Sequence, residues 1–263
     1  MKKWDILTEW TSIQKKESRY ENKRINKIEL GLFDKLEEVV PDTLSDKLEA
    51  AFVKGFEVVF GKGTSLVEKT YNKEKHERKY KVNSYIYEIE SSKENYKAFV
   101  KKAKKSSNIN KAVTGIEGVG FGAIGVGIPD IPVFIAVLLR NVYEIAMSFG
   151  FSYTAPQEKI FILKMIKAAL CRPEDFIGFN NEVNELIDGD SCQTYTDEEI
   201  KAEIKETAKI LSDKLLYLKF IQGIPLVGIV GGLSDFTCNR AVNEYAILKY
   251  QRRFLRTKML ESE

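Results

Sequence analysis

Histidine is all but absent from this chain: His76 is the single one among 263 residues. A Ser-His-Asp triad or a histidine-built metal site is thereby largely excluded, since each needs imidazole at the reacting centre or around the ion. His76 lies in the most polar stretch of the sequence and reads as a surface residue. Cysteine is scarce too. Cys171, Cys192 and Cys238 are odd in number and lack both close pairing and zinc-finger spacing, which fits free thiols in a reducing compartment. No Gly-x-Ser-x-Gly elbow occurs, and no cysteine has a plausible activating histidine. Neither a metal nor an organic cofactor is expected. Overall charge is nearly absent as well: 41 basic against 38 acidic residues leave a formal +3, which names no partner.

Clean strand alternation is also missing, and helical periodicity dominates, so the expected fold class is all-α. The opening Met1–Trp10 starts with two lysines, yet Asp5 and Glu9 interrupt the continuous apolar segment that a signal peptide requires. The expected location is cytoplasmic, peripheral at the inner membrane.

What is present is one apolar, glycine-rich run of membrane-spanning length, Gly118–Leu139, in an otherwise strongly charged chain. Its centre is Pro129-Asp130-Ile131-Pro132. A carboxylate in mid-bilayer is expensive, and each proline removes a backbone donor, so the run reads as two short helices meeting at a bend. A second apolar segment, Phe220–Leu233, contains Gly223 and Pro225. The expected architecture is therefore a multi-helix single domain with two central Gly/Pro-rich apolar hairpins. Within it, residues 1–84 would supply amphipathic helices and a polar connector, and residues 85–263 the main helical body.

Local signals place further helices. Residues 2–30 carry Trp4, Leu7, Trp10, Ile13 and Tyr20 at helical spacing. Pro41-Asp42-Thr43 opens a helix to about Phe60, and a helix is expected at Ser92–Lys105, Asn110–Ile128 and Ile131–Phe149. Pro156 starts Gln157–Leu170, and Pro173-Glu174-Asp175 is a first-turn signature. Thr196-Asp197-Glu198-Glu199 fits the capping box of a helix to Leu218, and Asp235–Leu255 is amphipathic. Tyr71–Tyr80 reads as frayed helix or exposed loop, and Val82–Ile89 as a short strand.

Gly120-x-Gly122-x-x-Gly125 matches a dinucleotide-binding turn by letter, but basic, polar residues precede it where a buried strand is needed. Gly118-x3-Gly122 and Gly228-x3-Gly232 instead offer flat faces for close helix packing or self-association. Seven charges flank the apolar segments: Glu117, Asp130, Arg140, Glu144, Asp235, Arg240 and Glu244. Arg140/Glu144 and Arg240/Glu244 echo each other at i,i+4 spacing. Buried, these groups need partners. Alternatively, they line a cleft that binds a cation or polar headgroup, with Asp130 the best single candidate and Glu117 its nearest helper. Residues 62–111 hold fourteen Lys or Arg against six Glu, including Lys101, Lys102, Lys104 and Lys105. A basic stretch before an apolar hairpin fits attraction to anionic lipid, and its lysine run 101–105, with no interleaved aromatic, argues against nucleic acid.

The order Ile128-Pro129-Asp130-Ile131-Pro132, then Leu139-Arg140-Asn141-Val142-Tyr143-Glu144-Ile145-Ala146 and Phe149-Gly150-Phe151, resembles the central signature of the EcsC family. Ile224-Pro225-Leu226-Val227-Gly228-x3-Gly232, followed by Ala241–Leu255 with Arg253-Phe254-Leu255, is similar to its C-terminal signature. Ser234-Asp235 and Phe149 depart from the residues members often carry there. The resemblance implies a bacterial, mainly helical protein of a family named for an operon with an ABC transporter, and it carries over no active-site residues. The expected function is membrane-peripheral or transporter-associated, docked by the basic region and the N-terminus with Trp4 and Trp10 at headgroup level. Two alternatives stay open. One is a hydrolase of an amphiphilic substrate using Asp130 and Glu117, and the other is a membrane-permeabilising effector.

Overall fold

The computed structural model describes residues 6–26, 39–63, 67–68, 71–89, 92–106, 130–189, 193–221 and 233–261. Among these residues there are nine α-helices and no strand. They are α1 (Ile6–Ile25), α2 (Asp42–Val58), α3 (Lys73–Ile89), α4 (Lys93–Ser106), α5 (Asp130–Ser148), α6 (Pro156–Leu170), α7 (Phe176–Asp188), α8 (Asp197–Ile221) and α9 (Leu233–Leu260). The helices expected over 110–128 and most of 220–233, and hence the packing of two hairpins, lie outside the described residues.

Local chemistry sets several helix ends. Thr196 Oγ1 accepts the Glu199 N–H at 3.2 Å while Glu199 returns a carboxylate oxygen to the Thr196 N–H at 2.8 Å, so the capping box forms as read. Pro156 occupies the first turn of α6, where its missing donor costs nothing. Asn72 Oδ1 caps α3 by accepting the Lys75 N–H at 2.8 Å. After α5, Gly150 turns at φ 85°, with Phe151 N–H on Ala146 O and Gly150 N–H on Met147 O, the paired bonds of a left-handed helix stop.

The expected strand at Val82–Ile89 is corrected: the segment is the second half of α3. Lys- and Glu-rich turns from Lys73 onward, capped by Asn72, propagate helix through β-favouring residues, so local propensity yields to an already formed helix. The same helix settles the ambiguous polar stretch before it, whose residues 73–80 are helical.

The apolar helix α5 is the hub. Helices α2, α3, α4 and α9 pack on it, while α6 packs with α7, α8 and α9, and α8 also with α2. Ile135, Ala136, Leu138, Leu139 and Val142 are wholly buried. Ile131–Ser148 has the length and mean hydropathy (1.5) to cross a membrane, but 89% of that window is covered by the rest of the fold, as befits a core helix. Phe99 of α4, Phe149 and Phe254 of α9 form an aromatic knot, with centroids 4.9 to 6.2 Å apart. The apolar stripe of α1 faces inward onto α9 and α7, burying Ile13 and tilting Tyr20 against Phe176 and Tyr245. Cys171 and Cys238 are buried and form no disulfide among the described residues, and burial pushes the Cys171 thiol up to about 11, which suits an inert structural role.

Candidate functional site

Beneath α3 the chain gathers a compact polar cluster. Arg140 and Glu144, one turn apart on α5, are nearly inaccessible, and the Arg140 Nε–H donates to Glu144 Oε1 at 3.1 Å. His76 of α3 lies over them, its Nε2 3.9 Å from the other Glu144 oxygen. The Tyr71 ring meets His76 edge-on at 6.0 Å and lies 5.9 Å from the Arg140 guanidinium. From Tyr71 a chain of bonds runs outward: its hydroxyl donates to Tyr153 Oη at 2.8 Å, and Tyr153 donates to Glu68 Oε1, which also receives the Lys73 ammonium at 3.0 Å. Tyr153 in turn stacks on Tyr143 of α5 at 4.1 Å.

Electrostatics give this cluster a definite character. Burial would raise the Glu68 carboxyl, but hydrogen bonds from Tyr153 and Lys73 outweigh it and hold the group below its usual range. Burial raises both Tyr71 and Tyr153 well above an ordinary phenol, so neither is poised as a nucleophile at neutral pH. His76 moves down to about 4 through burial and the nearby charges of Lys79, Arg140 and Lys75. Among the described residues no three His, Cys, Asp or Glu side chains come together to hold a metal ion. The arrangement is a seat for α3, in which Glu144 is matched by Arg140 and Glu68 by Lys73, and the imidazole between them is neutral at pH 7.

His76 is thus corrected from a surface residue to a half-buried one at a helix interface. Its burial comes from Tyr71 and Arg140, which no local pattern announces. The two echoed pairs part company: Arg140/Glu144 is buried, whereas Arg240/Glu244 is exposed, bonded at 2.9 Å on the outside of α9. Their helices nevertheless touch, since Asn141 bonds Asn239 at 3.2 Å beside both pairs. Asp130 and Asp235 fall in the first turns of α5 and α9, but their side chains, with those of Lys102, Lys104 and Lys105, lie outside the described residues. Glu117 and Trp4 lie wholly outside them. Trp10 is half-buried against the core, with the Arg252 guanidinium 5.3 Å from its ring. Glu144 and Glu244 are each held by arginine, while the other three candidate carboxylates lie outside the described side chains.

The outer side of α3 differs sharply from the inner. Val82, Tyr85 and Ile86 are 58%, 65% and 43% exposed. At spacings of three and four residues they share one face, and Lys75, Arg78 and Lys81 lie on the same side of the helix. Among the described side chains of α3 and the adjoining α4, seven exposed cations (Lys75, Arg78, Lys79, Lys81, Lys93, Lys97 and Lys101) stand against three exposed carboxylates, Glu74, Glu77 and Glu94. Contacts that hold this helix in place include His76 over the ion pair and Tyr80, whose ring lies so close to Gly150 that a Cβ there would meet it at 2.2 Å.

A body that is helical among the described residues, built on the buried α5 with Phe149-Gly150-Phe151 closing it, defines the class of protein to which this chain is assigned. The chain belongs to the EcsC protein family, whose sequence profile matches residues 4–255. It is also similar to a Bacillus subtilis (strain 168) protein described as "Uncharacterized protein YdbA", at 23% identity over 162 residues. That match covers 60% of this chain and 56% of the relative, so the chain spans little more than half of the relative's length. No solved structure matches.

Proposed function

We propose that this protein is a peripheral component of an anionic membrane surface, docking through the outer face of α3 and the lysines of α4. The observation that carries the reading is the exposed Val82–Tyr85–Ile86 patch framed by Lys75, Arg78 and Lys81. A basic helix with large apolar groups turned to solvent is suited to lie in a headgroup layer, its rings and aliphatic chains below the phosphates and its ammonium groups among them. The magnitudes favour this over a merely solvated face. Each cation near an anionic leaflet contributes about 1 kcal/mol. Burying the exposed parts of three large side chains contributes roughly another 1 kcal/mol apiece.

Ile13, Trp10 and Tyr20 of α1 pack into the core, so the docking groups in this proposal come from α3. At such a surface a family member would stand beside integral transporters as an accessory factor. The hydrolase and permeabilising alternatives gain nothing from the arginine-held Glu144 and Glu244.

Flotation with vesicles of phosphatidylcholine alone, or with phosphatidylglycerol added, tests the proposal. The protein should float with the anionic vesicles at low salt, retain part of that binding at high salt through the apolar groups, and stay behind with the neutral ones. Equal flotation with both lipids, or none with either, would remove it.

A further inference from the structure

We infer that a cleft elsewhere on the molecule, between α6, the end of α7 and the last turns of α9, binds a small amphiphile carrying a single negative charge, namely a medium-chain carboxylate. The cleft holds about 280 Å³, near the lower limit of small-molecule sites. Its apolar wall is made by Phe151, Phe161, Leu186, Ile187 and Leu260. Two arginines enter it, and they are not equivalent. Arg253 is already committed: its guanidinium lies 4.4 Å from the Phe151 ring centroid and 4.8 Å from that of Phe161, and its Nη1–H bonds Glu158 at 2.7 Å. Behind it, Tyr250 donates to the other Glu158 oxygen at 2.6 Å, so that charge is fully matched.

Arg256, three residues on, lines the same space and forms no ion pair with any described residue. Gln157 and Gln193 offer amide donors beside it, likewise with no hydrogen bond among the described residues. An aliphatic and aromatic wall ending at one uncommitted guanidinium and two amides is complementary to an alkyl chain ending in a carboxylate, which takes a bidentate bond from arginine. Glu185 stands exposed at the rim and would repel a second negative charge, which disfavours nucleotides and phosphorylated headgroups. The inference is independent of membrane docking, because the cleft shares no residue with α3 or α4.

Saturation-transfer NMR on the full chain, with decanoate below its micelle concentration, tests this against decylammonium as a control of equal length and opposite charge. Decanoate should receive saturation and decylammonium should not. Arg256→Gln should weaken decanoate binding by roughly tenfold or more, as the loss of a charge-assisted bond implies, while Arg256→Lys recovers part of it. Vesicle flotation of Arg256→Gln should match the wild type, which separates this site from the docking face. No transfer to decanoate, equal transfer to both amphiphiles, or unchanged binding in Arg256→Gln would each overturn the assignment. The comparison of the two amphiphiles needs no variant.

Discussion

Lowering the pH tests how α3 is seated, because one imidazole reports on it. The His76 side chain is only 12% exposed, and its Nδ1 finds no hydrogen-bond partner among the described residues. Burial, with Lys79, Arg140 and Lys75 nearby, brings its pKa from 6.5 to about 4. Glu144 pulls the other way from 3.9 Å, but Arg140 already holds that carboxylate, so its attraction is largely spent. The unfolded chain then binds this proton more readily than the folded one. The stability associated with His76 is therefore complete above about pH 6.5 and is lost as pH falls through the interval down to about 4. A fall of that size corresponds to about 3 kcal/mol, and solvent at the open edge of the ring reduces it to about 2.

Since no other histidine exists, the Hε1 proton resonance is free of overlap, and its titration midpoint should lie near 4 for as long as the protein stays folded. Urea unfolding at pH 7 and pH 5 should show the wild type losing about 1–2 kcal/mol more than His76→Gln, the carboxylates common to both cancelling in the comparison. A midpoint at or above 6.5, or identical losses in the two proteins, would refute the seat as described.

Three further outcomes follow from other contacts. Val82→Ser with Ile86→Ser removes two half-exposed apolar groups, which should weaken binding to anionic vesicles by about 2 kcal/mol, or roughly 30-fold, with the melting temperature unchanged. Gly150→Ala puts a Cβ at φ 85° and against the Tyr80 ring, so unfolding free energy should drop by about 1–3 kcal/mol, with faster hydrogen exchange in α3 than in α6. Lys249, 1% exposed, bonds Glu17 of α1 at 2.7 Å and Asn184 of α7 at 2.6 Å. Lys249→Ala should cost about 3 kcal/mol by calorimetry, and Lys249→Met with Glu17→Gln should recover a good part of that loss.

Where an element's ends rest on neighbouring residues, the sequence revealed it. The Thr196–Glu199 box, Pro156 at the start of α6 and the apolar stripe of α1 all act within a turn or two, so spacing alone exposes them. The site was less legible because its parts come from far apart. Glu68, Tyr71 and His76 meet Arg140, Glu144 and Tyr153 only after α3 lies across α5. Spacing could not separate Arg140/Glu144 from Arg240/Glu244 either. Both are i,i+4 pairs, and only the helices covering α5 make one of them buried.

The misreading of Val82–Ile89 has the most instructive cause. Alternating apolar and polar residues suggest a strand when each apolar group is assumed to face a core. In α3 that assumption fails: the helical period sends Tyr80 and Ser84 inward and Val82, Tyr85 and Ile86 to the surface, beside Arg78 and Lys81. A helix whose large apolar groups were needed for folding would hide them, as α5 does almost completely. The pattern that defeats the strand reading is thus the one that leaves an apolar, cation-framed face without a cover among the described residues, and the membrane-surface proposal takes its support from that face.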